Sequence, residues 1–112
     1  MKVKLLALVL LILAPFPVLA AEDAVHLRVL AASCAACHGT NGNSVGGTPV
    51  LAGLDRSYFV LQMQAFRSGE RASSVMHHHA KGLTEEEIAL LAEYFSVQQR
   101  MTSASPLPLG SL

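Results

Sequence analysis

The feature that most limits what this chain can become is the stretch Ser33-Cys34-Ala35-Ala36-Cys37-His38-Gly39. Cys34 and Cys37 stand three positions apart, a spacing that at a helix end sets both thiols on neighbouring turns of one face. Two thiols so placed reach the two vinyl-derived carbons along one edge of a porphyrin. His38 follows at once and aims its imidazole at the iron from one side, where a neutral ring nitrogen is a good ligand. Small Ala35 and Ala36 let the backbone lie close to the ring. The pattern C-x-x-C-H therefore reads as a covalent attachment sequence for one c-type haem, tethered by Cys34 and Cys37 and ligated by His38.

Two rival readings fit less well. A thioredoxin-like redox pair shares the C-x-x-C spacing but needs a βαβ pattern around it, and the flanking sequence offers none. A zinc site needs two further ligands, for which His77, His78 and His79 are available, but their spacing matches neither the finger nor the ribbon pattern.

Residues 1–20 read as an export signal rather than as structure. Lys2 and Lys4 precede the apolar run Leu5 to Leu13, Pro15 and Pro17 interrupt it, and Val18-Leu19-Ala20 sets small residues before a cleavage point after Ala20 or Ala21. The run is too short and too broken for a comfortable membrane span, so no transmembrane anchor is expected and the mature chain is placed in the periplasm. Removing Lys2 and Lys4 leaves six basic residues against eight acidic ones, a net charge of about −2 with histidine neutral. That balance argues against a nucleic-acid partner. Residues 21–101 form one small domain whose own core is marginal, and a covalently held apolar porphyrin supplies the missing interior. Both cysteines are used by the haem, so no disulfide is expected.

The domain reads as all-α, with three main helices around the haem. The first runs from Glu22 to about Ser33 and leads directly into the attachment sequence. Thr40 to Gly53 is a loop rich in Gly, Asn and Pro. The second helix starts at Asp55 as N-cap, carries Phe59, Met63 and Phe66 on one face, and stops at Gly69. The third begins with the capping box Thr84-Glu85-Glu86-Glu87 and buries Ile88, Leu91, Ala92 and Phe95. Residues 102–112 read as a loose tail. Phe59, Met63, Phe66, Leu91 and Phe95 are the expected apolar wall of the pocket.

The second face of the iron separates electron transfer from ligand chemistry. Met63 belongs to the packed stripe of the second helix, and Met101 lies beyond the last helix in a segment expected to be loose. Met76 stands late in the chain between two helices and is the expected axial partner of His38, with an imidazole from His77 to His79 as the alternative. The histidine run otherwise reads as surface loop. Arg67 and Arg71 are candidates for pairing with the haem propionates, or are simply exposed.

From Cys34 to Phe95 the chain resembles class I cytochromes c, in particular the cytochrome c4-like branch. Pro49-Val50-Leu51-Ala52-Gly53, followed by Tyr58, Gln62, Phe66, Gly69 and Arg71, is similar to that branch's P-x-L-A-G…Y-x3-Q-x3-F-x2-G-x-R pattern, with Met76 where the branch places its distal methionine. The stretch from Met76 through Ala80-Lys81-Gly82-Leu83 to Glu87 is similar to the cytochrome subunits of flavocytochrome c sulfide dehydrogenases. The chain departs from the pattern in two places: it has one haem sequence rather than two, and Leu54 where glutamine is common.

The resemblance implies a compact helical fold with one porphyrin edge exposed. It also implies that the Pro49 carbonyl orients His38. Its functional implication is a periplasmic one-electron carrier, the haem subunit of a sulfide-oxidising flavocytochrome and not catalytic on its own. Electrons would come from an FAD-containing sulfide dehydrogenase subunit and leave to a downstream acceptor such as another cytochrome. The alternatives are a free-standing carrier serving a terminal oxidase or reductase and, from another class, a haem sensor or peroxidase with an open sixth site.

Overall fold

The computed structural model describes residues 19–102. The export signal and the tail lie almost wholly outside them. Four α-helices and one 3-10 turn make up the described fold, and no strand occurs among the described residues.

Helix α1 spans Leu19–His38. It continues beyond Ser33 and takes in the whole attachment sequence, because alanine-rich sequence free of Gly and Pro gives the helix no reason to stop. Gly39 ends it at φ 79, and a Cβ there would lie 2.4 Å from the Asn43 carbonyl oxygen. The chain then makes the 3-10 turn Thr40–Gly42 and a loop that returns across the end of the last helix. The Gly42 carbonyl accepts the Leu51 and Ala52 amides at 2.8 and 3.2 Å, and the Gly53 amide donates to the Phe95 carbonyl at 2.9 Å.

Helix α2 spans Arg56–Ser68, with the Asp55 carboxylate accepting the Tyr58 amide at its start and Gly69 in the left-handed region at its end. Helix α4 spans Glu85–Ser96 behind the expected capping box: Thr84 N–H donates to Glu87 at 2.8 Å and Glu87 N–H donates to Thr84 Oγ1 at 3.1 Å. Between them lies a helix that the sequence reading took for loop. Helix α3 spans Ser74–Lys81, capped by Ser73, whose hydroxyl accepts the Met76 amide at 3.2 Å. Its two turns offer one apolar i, i+4 pair, Met76 and Ala80, and the polar histidine run between them hides the period.

The core is the expected wall enlarged. Phe59, Met63, Phe66, Ala80, Ile88, Leu91, Ala92 and Phe95 are buried together with Ala31 of α1. The Phe59 and Phe95 rings stack with centroids 5.9 Å apart, and Tyr94 meets Phe95 edge-on at 5.1 Å. The apolar residues of α1 divide between two environments: Leu27 and Leu30 pack on the core, whereas Val25 and Val29 are exposed. A polar tie holds α1 to α4, in which His26 Nε2–H donates to Glu87 Oε1 at 2.8 Å.

Two stability measurements test this frame. Gly42 sits at φ 77, and a Cβ there would come within 2.8 Å of Leu51 Cβ, 2.9 Å of the Ala52 amide and 2.9 Å of the Phe95 ring. Denaturant unfolding of Gly42→Ala should therefore show a loss of about 2 kcal/mol or more, from backbone strain and overpacking together. Gly46→Ala, with nothing within 4 Å of the added carbon, should stay close to wild type.

The second measurement concerns acid. The Thr84 amide, and then His26, hold the Glu87 carboxyl below its ordinary value of 4.5. A depressed carboxyl stabilises the fold above its unfolded-state value, and that contribution disappears as pH falls through the folded one. Thermal melts of Glu87→Gln should show a weaker loss of Tm on acidification from neutral pH than wild type.

Candidate haem site

The attachment sequence occupies the last turn of α1. Cys34 packs against the buried core, and Cys37 is exposed. Burial pushes the Cys34 thiol up from its ordinary value, with a smaller opposing effect from the Ser33 hydroxyl. Thr48 from the returning loop donates its hydroxyl to the Cys37 carbonyl at 2.6 Å, and the Gly39 amide closes the helix end on the Ala35 carbonyl at 2.9 Å.

His38 is buried, only 9% exposed, and its Nδ1–H donates to the Pro49 carbonyl at 2.7 Å. That bond fixes the tautomer, orients the ring and leaves Nε2 as the basic nitrogen. Among the described residues Nε2 has no hydrogen-bond partner. With Nδ1 committed and Nε2 open rather than buried, the ring has a nitrogen available to a metal.

Met76 lies in the first turn of α3, partly buried, with its side chain against the same core cluster that Cys34 touches. Met63 is buried within that cluster, as expected for packing. The Met101 side chain is 65% exposed, but its segment is not loose: Asn43 accepts the Met101 amide at 2.8 Å and donates to the Gln99 carbonyl at 2.9 Å, while Arg100 reaches the Ala52 carbonyl at 3.3 Å. Asn43 is a positioning residue that sequence reading passed over as one more loop former. Its signal exists only in the fold, since its partners lie at the far end of the chain.

The histidine run is helical, and its members differ. His77 is partly buried and donates Nδ1–H to the Phe66 carbonyl at 2.7 Å, whereas His78 and His79 are exposed. The candidate propionate partners are engaged within the protein. Arg67 donates Nε–H to the Ala80 carbonyl at 3.1 Å and also bonds the Leu83 carbonyl and the Glu85 carboxylate. Arg71 lies over the Phe66 ring at 4.6 Å and bonds Gln62.

The donor set fits a haem rather than a bare ion. Two thiols one turn apart, an imidazole with a free Nε2 and a thioether seated on the same core match a tethered porphyrin with axial ligands. Among the described residues no group of three or more His, Cys, Asp and Glu is placed to hold a metal ion directly. The zinc reading therefore finds no support in the fold.

Comparison with known proteins agrees. The chain is 49% identical over 68 residues to the cytochrome subunit of sulfide dehydrogenase from Chlorobaculum tepidum, a match covering 61% of this chain and 62% of that one. It is 40% identical over 83 residues to a thiosulfate dehydrogenase electron acceptor from Thiomonas intermedia, covering 72% of this chain and 38% of the relative. Among solved structures, Acidithiobacillus ferrooxidans cytochrome c4 superposes with a TM-score of 0.56 at 34% identity, over 58% of this chain and 38% of that one. The chain thus spans less than two thirds of the length of each of these relatives. The Cytochrome c family pattern matches residues 28–97, which include the C-x-x-C-H sequence, the Pro49 loop and all of α2 to α4, and the chain accordingly belongs to the cytochrome c family, with haem c as its covalently bound cofactor.

Proposed function

We propose that this chain carries electrons one at a time in the periplasm, as the haem subunit that accepts them from a flavoprotein oxidising sulfide. One observation carries the electron-transfer reading: the His38 imidazole is buried and oriented, and the Met76 thioether packs on the core. His38 is fixed by Pro49, and Met76 packs on the same cluster as Cys34. An oriented imidazole and a core-packed thioether, taken as the two axial donors, favour a change of oxidation state over the admission of a ligand.

In this reading Cys34 and Cys37 tether the porphyrin, and His38 and Met76 are the axial iron ligands. The haem, when bound, supplies a one-electron couple. The protein fixes the conditions under which that couple operates. The Pro49 carbonyl polarises the His38 ring and makes Nε2 a stronger donor. The Met76 thioether favours the ferrous state, which raises the potential and suits an acceptor. Phe59, Met63, Phe66, Leu91 and Phe95 exclude water, so little solvent rearranges on electron gain or loss. The chain has no dinucleotide-binding glycine pattern and no nucleophile–base pair, so the sulfur chemistry belongs to a partner.

Support for a sulfide-oxidising flavoprotein partner is the 49% identity to a cytochrome subunit of sulfide dehydrogenase. Support for export is the leader-like segment at residues 1–20, and among the described residues no helix is long and apolar enough to cross a membrane. Similarity to a thiosulfate dehydrogenase electron acceptor favours one alternative, a free-standing carrier that receives electrons from a separate dehydrogenase.

Native extraction tests the partner. Co-elution of the cytochrome with a flavin-containing subunit supports the sulfide dehydrogenase reading, and a cytochrome that elutes alone supports the free carrier. Carbon monoxide tests the ligands. The ferrous wild-type protein should not bind it readily at neutral pH, and Met76→Ala should bind it with a lowered reduction potential. Ready binding by the wild type would put the sensor or peroxidase class ahead.

A further inference from the structure

Helix α3 is eight residues long, and a helix of two turns is not stable by itself in water. Its hold on the protein comes largely from the end of α2. At the C-terminal end of α3, Arg67 clamps the Ala80 and Leu83 carbonyls, and Ala80 is fully buried. At the N-terminal end, the one side-chain bond to α2 is His77 Nδ1–H to the Phe66 carbonyl at 2.7 Å. The Phe66 carbonyl lies in the last turn of α2, where carbonyls lack helical partners, and it also receives the Gly69 amide at 3.3 Å.

His77 is the immediate neighbour of Met76, and successive helical side chains are turned about 100° from one another. A His77 ring held against the end of α2 therefore fixes the direction in which Met76 leaves the helix.

We propose, resting on the reading of Met76 as distal ligand, that His77 is a positioning residue for that ligand. Through the Phe66 carbonyl it anchors the first turn of α3.

The test uses the full holoprotein with His77→Phe, which keeps the ring volume and loses the donor, and His77→Asn, whose amide N–H lies close to the Nδ1 position. The readouts are the thioether-to-ferric-iron charge-transfer band, the affinity of the ferric protein for added imidazole, and the reduction potential, with far-UV circular dichroism to confirm folding. His77→Phe should bind imidazole about tenfold more tightly, the scale of one lost hydrogen bond, and lose charge-transfer intensity. His77→Asn should return both to wild-type values. Wild-type behaviour in His77→Phe, or an Asn variant as loosened as Phe, overturns the proposal.

If His77→Phe does not fold, proton NMR of the ferrous wild type decides. A slowly exchanging His77 ring N–H is expected, and its absence overturns the proposal. A charge-transfer band that survives in Met76→Ala overturns the ligand assignment itself and the role of His77 with it. That outcome is distinct, because it is read in a variant that leaves His77 intact.

Discussion

The hydrogen bond from His38 to the Pro49 carbonyl is the constraint on which the rest of the site depends. The attachment sequence on a helix end brings thiols and imidazole close together but does not decide which ring nitrogen faces out. A carbonyl at 2.7 Å from Nδ1 decides it, and it can stand there only because the loop from Gly39 to Gly53 folds back on the helix that ends at His38. Gly39 makes the reversal, Gly42 receives Leu51 and Ala52, and Thr48 ties the loop to the Cys37 carbonyl. The loop thus sets the orientation of the His38 ring.

In the proposed site, the second axial donor is held in a different way. Met76 rides on a helix too short to persist alone, so its placement depends on α2, which supplies the Phe66 carbonyl and the Arg67 guanidinium as two anchors. One face of the site is fixed by a loop returning on its own helix, the other by one helix bracing its neighbour. The buried cluster of Phe59, Met63, Phe66, Leu91 and Phe95 lies against Met76 and Cys34.

Much of this was legible in the sequence where a local rule applied. The Asp55 and Thr84 caps, the stop at Gly69 and the buried stripe from Ile88 to Phe95 all follow from short-range chemistry that a single sequence displays. Helix α3 was hidden because its length gives one apolar repeat and its middle is three histidines. The roles of Arg67, Arg71 and His77 were hidden for a related reason. Each bonds to groups that tertiary structure brings near, so residue type alone left propionate, solvent and iron as their plausible destinations. The tied segment at Gln99 and Met101 read as loose because its tether, Asn43, lies on the far side of the domain in sequence.

That tether also bears on how the molecule assembles. Its two bonds join residues 56 and 58 positions apart, most of the length of the described fold. Closing so wide a circuit carries a chain-entropy cost that grows with its length, and contacts of that span slow folding as a whole. The helices and their caps draw on neighbours in sequence. The Asn43 junction instead latches the segment after the last helix onto the turn beside the attachment sequence, so that the two ends of the fold hold each other.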